Sequence, residues 1–354
     1  MTESIRLLAD DLTGALDAAA EFVGLAGHQP FLAFWHGALP STLPMHAAID
    51  SGTRELGTAA ATTAVTKLAS ALVGSRIAYK KIDSLIRGPT IPEVAACFRA
   101  LGWERAILAP AFPHQGRATR GGMQHARDGC GRWSPVQNGD LVSQPRAEAV
   151  PVHRARLEEP VKPGISVFDA DTDPELRQVA ALGRATPGPL LWIGTGGLAQ
   201  ALAHQAPARG GGPLPQPLLG LFGSDQAVTA GQLAACGTDW LRLRDGGPSE
   251  AAALAARLRA TGRAVASFDL PYGLARDAAA ARIAVELRRL VENLPRPGTL
   301  IVAGGETLRG LCLALGAHAL ALQGRIVPGL PRSILRGGAW DGVTVVSKSG
   351  AFGT

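Results

Sequence analysis

The chain has 354 residues, more than one typical domain needs, so two domains are the first expectation. Its residues are 46% hydrophobic and 18% charged, apolar enough to bury a real core and too apolar for a disordered chain. The net charge of +6 suits an anionic partner, but only 5% of residues are aromatic and no run of five like charges occurs, which argues against nucleic acid.

Short apolar strands alternate with amphipathic helices along the chain. Residues 5–9 read as a strand and 13–26 as the helix after it. Strands are expected at 31–35 and 47–49, a helix at 57–72, a strand at 77–82, a helix at 91–101 and a strand at 106–109. Buried strands in this rhythm predict a parallel sheet covered on both faces. The rhythm breaks from Phe112 to Gly164, a stretch with many Gly, Arg, Gln and Pro residues and no clear period. It resumes with a strand at 165–168, a helix at 174–184, a strand at 190–193 and a helix at 197–204.

Residues 206–217 read APARGGGPLPQP and form the best linker candidate. A second series follows. It has strands at 218–222, 264–268, 300–302 and 343–346, and helices at 251–261, 278–290 and 307–315. The expected fold class is α/β, with two domains over 1–205 and 218–354. Each is a mostly parallel sheet flanked by helices, with a ligand cleft between them. Cys97, Cys130, Cys236 and Cys312 lie far apart with no metal spacing, so reduced thiols are the default. No signal peptide and no membrane-length apolar run is visible, which predicts a cytoplasmic protein with no membrane partner.

In open α/β sheets ligands sit beyond the C-terminal ends of the strands, so the polar residues there carry the chemistry. Asp10 and Asp11 end the first strand. A helix cap needs one of them, and the other is left to accept a proton or a hydroxyl hydrogen bond. Asp50 and Arg54 end another strand. Lys80, Lys81, Asp83, Ser84 and Arg87 end a third, and the chain has only five lysines against thirty arginines. Cations gathered there suit a carboxylate or phosphate. Gln115 and Arg117 follow a fourth strand, where His114 reads as a surface residue. In the second half, Ser224, the Gly304-Gly305-Glu306-Thr307 loop and Lys348 to Gly350 each follow a strand and bring glycines and hydroxyls to a helix start or turn. Backbone N–H groups in such loops approach phosphate oxygens. No Walker loop and no complete dinucleotide loop occurs.

ADDLTGA at 9–15, KKIDSLIRG at 80–88, PAFPHQGR at 110–117, GGET at 304–307, PGLP at 328–331 and VVSKSGAFG at 345–353 resemble, in this order, the four-carbon acid sugar kinases. The resemblance covers nearly the whole chain. It implies an N-terminal acid-sugar-binding domain, a C-terminal nucleotide-binding domain, and ATP-dependent phosphorylation of the 4-hydroxyl of threonate, erythronate or 3-oxotetronate with Mg²⁺. It implies that the sugar acid meets Asp10, Asp11, Asp50, Arg54, Lys80, Asp83, Ser84, Arg87, Gln115 and Arg117. ATP is expected at Ser224, Gly304, Gly305, Glu306, Thr307, Lys348 and Gly350. The catalytic base is Asp11 or Asp10, then Asp83, and the residues do not rank them. Homo-oligomerisation stays open. Two departures stand out: the family's second serine is Gln226 here, and Leu85-Ile86 replaces Thr-Leu before Arg87. A non-catalytic sugar-acid sensor is the alternative those changes leave open.

Overall fold

The structure, a computed structural model, describes residues 3–37, 39–204, 210–223, 226–271, 273–350 and 352–353. The chain divides into two compact units, Met1–Ala208 and Arg209–Thr354. Of the expected linker, residues 206–209 lie outside the described residues.

The first unit runs β1 (Ile5–Ala9), α1 (Leu12–Phe22), β2 (Phe31–Trp35), β3 (His46–Asp50), α2 (Thr58–Leu68), β4 (Ile77–Lys81), α3 (Thr90–Ala100) and β5 (Arg105–Ala109). It continues with β6 (Arg117–Arg120), β7 (Met123–Arg127), β8 (Trp133–Asp140), α4 (Ser143–Ala147), β9 (Val152–Ala155), β10 (Gly164–Phe168), α5 (Asp173–Ala185), β11 (Leu190–Gly194) and α6 (Gly196–Leu202). Its main sheet has the order β2-β3-β1-β4-β11-β5-β10-β9, with every pair parallel. Strands β3, β4, β10 and β11 are buried along their whole length, as a parallel sheet covered on both faces requires.

The two faces follow from the two-residue period of a strand. Leu8, Ile49, Ala78, Leu108, Ile165 and Leu191 point to one side and pack with Val65 of α2 and Val94 of α3. Tyr79 points to the other side, where its ring meets the edge of Phe22 in α1 at 5.8 Å. Helix α1 ends near Phe22 rather than at residue 26, and the helix expected over 57–72 becomes α2 followed by a 3₁₀ turn at Ala69–Leu72.

The stretch expected to be irregular holds a small antiparallel sheet, β6-β7-β8. Its strands are polar and half-exposed, so no hydrophobic period announces them. Thr119 of β6 bridges to Ala170 just past β10, so this sheet stands at the C-terminal ends of the main strands.

The second unit runs β12 (Leu218–Phe222), α7 (Ala227–Ala235), β13 (Trp240–Leu243), α8 (Pro248–Thr261), β14 (Arg263–Phe268), α9 (Arg276–Glu292), β15 (Thr299–Ala303), α10 (Gly305–Ala314), β16 (Ala319–Val327), β17 (Leu330–Arg336) and β18 (Thr344–Lys348). In the order β13-β14-β12-β15-β18-β17-β16, the first five strands are parallel and the last two join antiparallel. The β16–β17 hairpin, α7 and β13 are additions to the sequence expectation.

Candidate active site

In the first unit the strands end in one row. Ala9 pairs with Asp50 on one side and Lys81 on the other, and Lys81 and Ala109 both pair with Gly194. The chain turns left of β1 to make β2 and β3, then crosses to its right with β4. The border between β1 and β4 is therefore the topological switch point, where ligands bind in open α/β sheets. Asp10–Asp11 and Ile82–Gly88 leave the sheet on either side of it.

Arg54 gathers the acids there. Its Nε lies 2.7 Å from Asp10 Oδ2, and its Nη2 lies 2.8 Å from Asp11 Oδ1 and 3.6 Å from Asp83 Oδ1. The loop carrying Arg54 is fixed from below. The Thr53 and Arg54 backbone N–H groups donate to Asp10 O, and Ser51 Oγ donates to Ala9 O. Asp50 is buried, and its Oδ1 accepts from Gly52 N at 2.7 Å, so it shapes this loop.

The three candidate bases have different commitments. Asp11 caps α1: its Oδ1 accepts from Gly14 N at 2.9 Å and its Oδ2 from Thr13 Oγ1 at 2.6 Å. Asp83 takes a two-pronged grip from Arg87, with Nε to Oδ2 at 2.8 Å and Nη2 to Oδ1 at 2.7 Å, and its Oδ2 also accepts from Leu85 N and Arg87 N. Asp10 gives Oδ2 to Arg54, while its buried Oδ1 has no hydrogen-bond partner among the described residues. Burial would raise the Asp10 and Asp83 pKa values, but Arg54 and the neighbouring cations outweigh it and hold both below the usual carboxylate range.

The adjacent lysines part company because neighbours on a strand face opposite ways. Lys80 points to the α3 side, fully buried, with Nζ 2.6 Å from Glu93 Oε2. Lys81 points to the α1 side, toward the acids. A Cβ placed on Gly14 would lie 2.9 Å from Lys81 Nζ and 2.5 Å from Asp11 Oδ1, so only glycine fits between them. Lys81 was missed as a site residue, although strand alternation makes one of the pair face the cleft. The structure thus sets Lys80 apart from the other proposed substrate ligands.

The Asp83–Gly88 loop is wound tightly. Buried Ile86 sits at φ 55° and Gly88 at φ 69°. A Cβ on Gly88 would lie 2.2 Å from Arg54 O, so the loop presses directly on the Arg54 backbone. A branched residue held in the left-handed region stores strain, which clusters at functional sites. Ser84 is half-buried on this loop, and its carbonyl accepts from Gln124 Nε2.

Arg117 is the fourth cation of the group. Its Nη1 donates to Gln115 O at 2.6 Å, while its buried Nε has no hydrogen-bond partner among the described residues. Burial lowers its pKa, with Asp83 pulling the other way and Arg87 adding to the lowering. Gln115 is half-buried beside it. Arg54, Lys81, Arg87 and Arg117 thus gather beside Asp10, Asp11 and Asp83, with buried Asp50 at the end of the neighbouring strand.

In the second unit, Phe222, Ala303 and Lys348 lie in one row, so Gly223, Gly304 and Ser349 leave the sheet together. Gly304 caps α10, and its N–H donates to Lys348 O at 2.9 Å. Gly305, Glu306 and Thr307 form the first turn of α10, and a Cβ on Gly223 would lie 2.7 Å from Thr307 Oγ1. Glu306 is turned outward and pairs with Arg309 at 2.8 Å. Lys348 is buried. Its Nζ donates to Thr229 Oγ1 at 3.2 Å, Ser349 O at 3.2 Å and Phe352 O at 3.1 Å, and burial lowers its pKa to about 8. Thr229 Oγ1 in turn donates to Gly350 O at 2.7 Å. Lys348 therefore closes the final loop on itself. Ser224 lies outside the described residues.

Comparison with known proteins agrees with this two-part layout. Residues 5–163 match the family model for a sugar-binding N-terminal domain, and residues 239–354 match that for a nucleotide-binding C-terminal domain. A D-threonate kinase of Cupriavidus necator is 32% identical over 79% of this chain and 78% of its own length. A D-threonate kinase of Bordetella bronchiseptica is 28% identical over 99% of this chain and 94% of its own. A solved Salmonella typhimurium LT2 protein, described as a tRNA synthase, is 23% identical with a TM-score of 0.73. It covers 99% of this chain and 96% of its own, and that likeness shows the fold alone. With both domain models matched in this order and a curated relative at 32% identity, the chain belongs to the four-carbon acid sugar kinase family.

Proposed function

We propose that the protein transfers the γ-phosphoryl group of ATP to the 4-hydroxyl of a four-carbon sugar acid, with D-threonate the first substrate to test. The name of its curated relatives supports that choice of substrate. The single observation that carries the reading is the cluster at the β1/β4 switch point. Cations and acids face one another there, and among the described residues Asp10 Oδ1 and Arg117 Nε have no hydrogen-bond partner, while the Lys81 ammonium donates to Ile82 O.

Each of these groups has a use. Lys81 and Arg117 take the substrate carboxylate. Arg54 stays on the acids and holds them in place. Asp10, ionised at neutral pH because Arg54 and the lysines depress its pKa, accepts the 4-hydroxyl proton on Oδ1. The hydroxyl oxygen then bonds to the γ-phosphorus as the bond to the β-phosphate oxygen breaks and ADP leaves. In the second unit the glycine-containing turns after β15 and β18 offer backbone N–H groups to the nucleotide phosphates. Among the described residues no group of three or more His, Cys, Asp or Glu side chains could hold a metal ion. Mg²⁺ is commonly bound through substrate phosphates with only one or two carboxylates, and no step here runs through it.

An ADP-release assay with ATP and Mg²⁺ on D- and L-threonate, D- and L-erythronate and 3-oxotetronate tests the reading. Turnover of D-threonate is expected. Absence of ADP release with all five acids would falsify it.

A further inference from the structure

Gln124 is a buried amide on the small β6-β7-β8 sheet, outside every motif that marks the family. It is 0% exposed. Its Oε1 accepts from Thr119 Oγ1 at 2.7 Å. Its Nε2 donates to Ser84 O at 3.0 Å and to Pro110 O at 3.2 Å, so both amide hydrogens are used. Ser84 follows Asp83 in the strained loop that carries Arg87. Pro110 opens the segment that leads to Gln115 and Arg117. One side chain thus ties together the two loops that bring Arg87 and Arg117 to Asp83. Its third partner, Thr119, is itself anchored past the end of β10, where Thr119 N donates to Ala170 O at 2.9 Å and Ala170 N donates to Thr119 O at 3.0 Å.

We propose that Gln124 is a positioning residue that sets the spacing of the substrate cations by locking the Asp83–Gly88 loop to the segment after β5. The proposal rests on the assignment of the sugar acid to the first unit. The side-chain hydrogen bonds of Gln124 go to Thr119, Ser84 and Pro110 and not to the acids or cations themselves. Its effect runs through two backbone carbonyls, each of which accepts a neutral hydrogen bond from its amide. The small sheet then has a purpose: it places an amide where the parallel sheet has no backbone of its own to offer.

The test compares wild-type protein with Gln124→Leu and Gln124→Glu. In Gln124→Leu, the KM for D-threonate is expected to rise about 10- to 100-fold, the range that a displacement of about 1 Å in a positioned site produces. The KM for ATP is expected to stay within about twofold, because the second unit keeps its loops. Hydrogen exchange should quicken in both the 83–88 and the 110–117 peptides of the variant without any ligand. The Gln124→Glu variant keeps the shape but turns a carboxylate oxygen toward the Ser84 and Pro110 carbonyls. Protonation restores one donor, so its KM for D-threonate should fall toward the wild-type value as pH drops from 8 to 6. Gln124→Leu should show no such recovery. Unchanged exchange in both peptides, or an equal rise in both KM values, would overturn the proposal. If wild-type protein turns over none of the acids, the kinase assignment fails, and the exchange comparison alone still decides whether Gln124 locks the loops.

Discussion

Asp10, Asp11 and Asp83 look alike in the sequence, and their hydrogen bonds separate them. Asp11 spends both oxygens on the first turn of α1, and Asp83 spends both on Arg87 and its own loop. Asp10 alone of the three keeps an oxygen without a partner among the described residues. Asp10→Asn should therefore cut kcat by ~10²–10⁴ while the melting curve keeps its shape, since the amide still accepts from Arg54. Near-normal turnover in that variant would remove Asp10 as the base. Lys80 and Lys81 offer a second contrast. Lys80→Met leaves Glu93 as an unpaired charge that is 1% exposed, and should lower stability by about 3–5 kcal/mol, read as a shift in the urea midpoint. Adding Glu93→Leu to it should recover most of that loss, because two apolar groups replace the pair. Lys81→Met should move the midpoint less, because Arg54 still pairs with Asp10 and Asp11 and Arg87 with Asp83, and should raise the KM for the sugar acid about tenfold, the worth of one charged hydrogen bond. An unchanged KM for the sugar acid in Lys81→Met would remove Lys81 as a substrate ligand.

At the scale of elements, apolar pentads such as Ile5–Ala9 and Ile77–Lys81 announce themselves as buried parallel strands, and the polar residues that follow mark where the site lies. The elements that escaped had no such signature. Strands β6 to β8 are polar and half-exposed, α7 is an alanine-rich helix without an amphipathic period, and β16 and β17 follow no βα alternation. Gln124 was illegible for the same reason, since its importance lies in where β7 sits and not in any local pattern. Lys348 shows the limit from the other side: the motif singled it out as a phosphate ligand, yet its ammonium is taken up by three neutral acceptors of α7 and the final loop. Burial lowers its pKa to about 8, and no charged group among the described residues offsets that burial. Below pH 8 the ammonium serves all three acceptors. Above it the neutral amine keeps two N–H donors, one acceptor goes unserved, and the loop that holds Gly350 loosens. The KM for ATP should therefore rise from pH 7 to pH 9 in wild-type protein and be raised but flat in Lys348→Met. A flat wild-type profile over that range would show that this lysine does not titrate there.

The division into Met1–Ala208 and Arg209–Thr354 makes a claim about the whole molecule that the separate loops cannot make. Each unit has its own series of paired strands and its own row of strand ends, and the residues assigned to the sugar acid and to the nucleotide fall in different units. The sequence pointed to this through two series of strands on either side of a Gly- and Pro-rich stretch. It gave no hint that the second series holds an antiparallel hairpin, β16–β17, before its last strand. A ligand that binds one unit stabilises that unit by RT ln(1 + [L]/Kd), or about 2.7 kcal/mol at a hundredfold excess over Kd. Thermal unfolding followed by tryptophan fluorescence should then respond selectively. D-threonate should raise the transition reported by Trp35 and Trp192, which are buried in the first unit, and leave that reported by Trp340, buried in the second. ADP should do the reverse. Single-tryptophan variants, with the other tryptophans replaced by Phe, give each transition its own fluorescence signal. If D-threonate raised both transitions equally in the absence of nucleotide, the two units would unfold as one and the assignment of each ligand to one unit would lose its support.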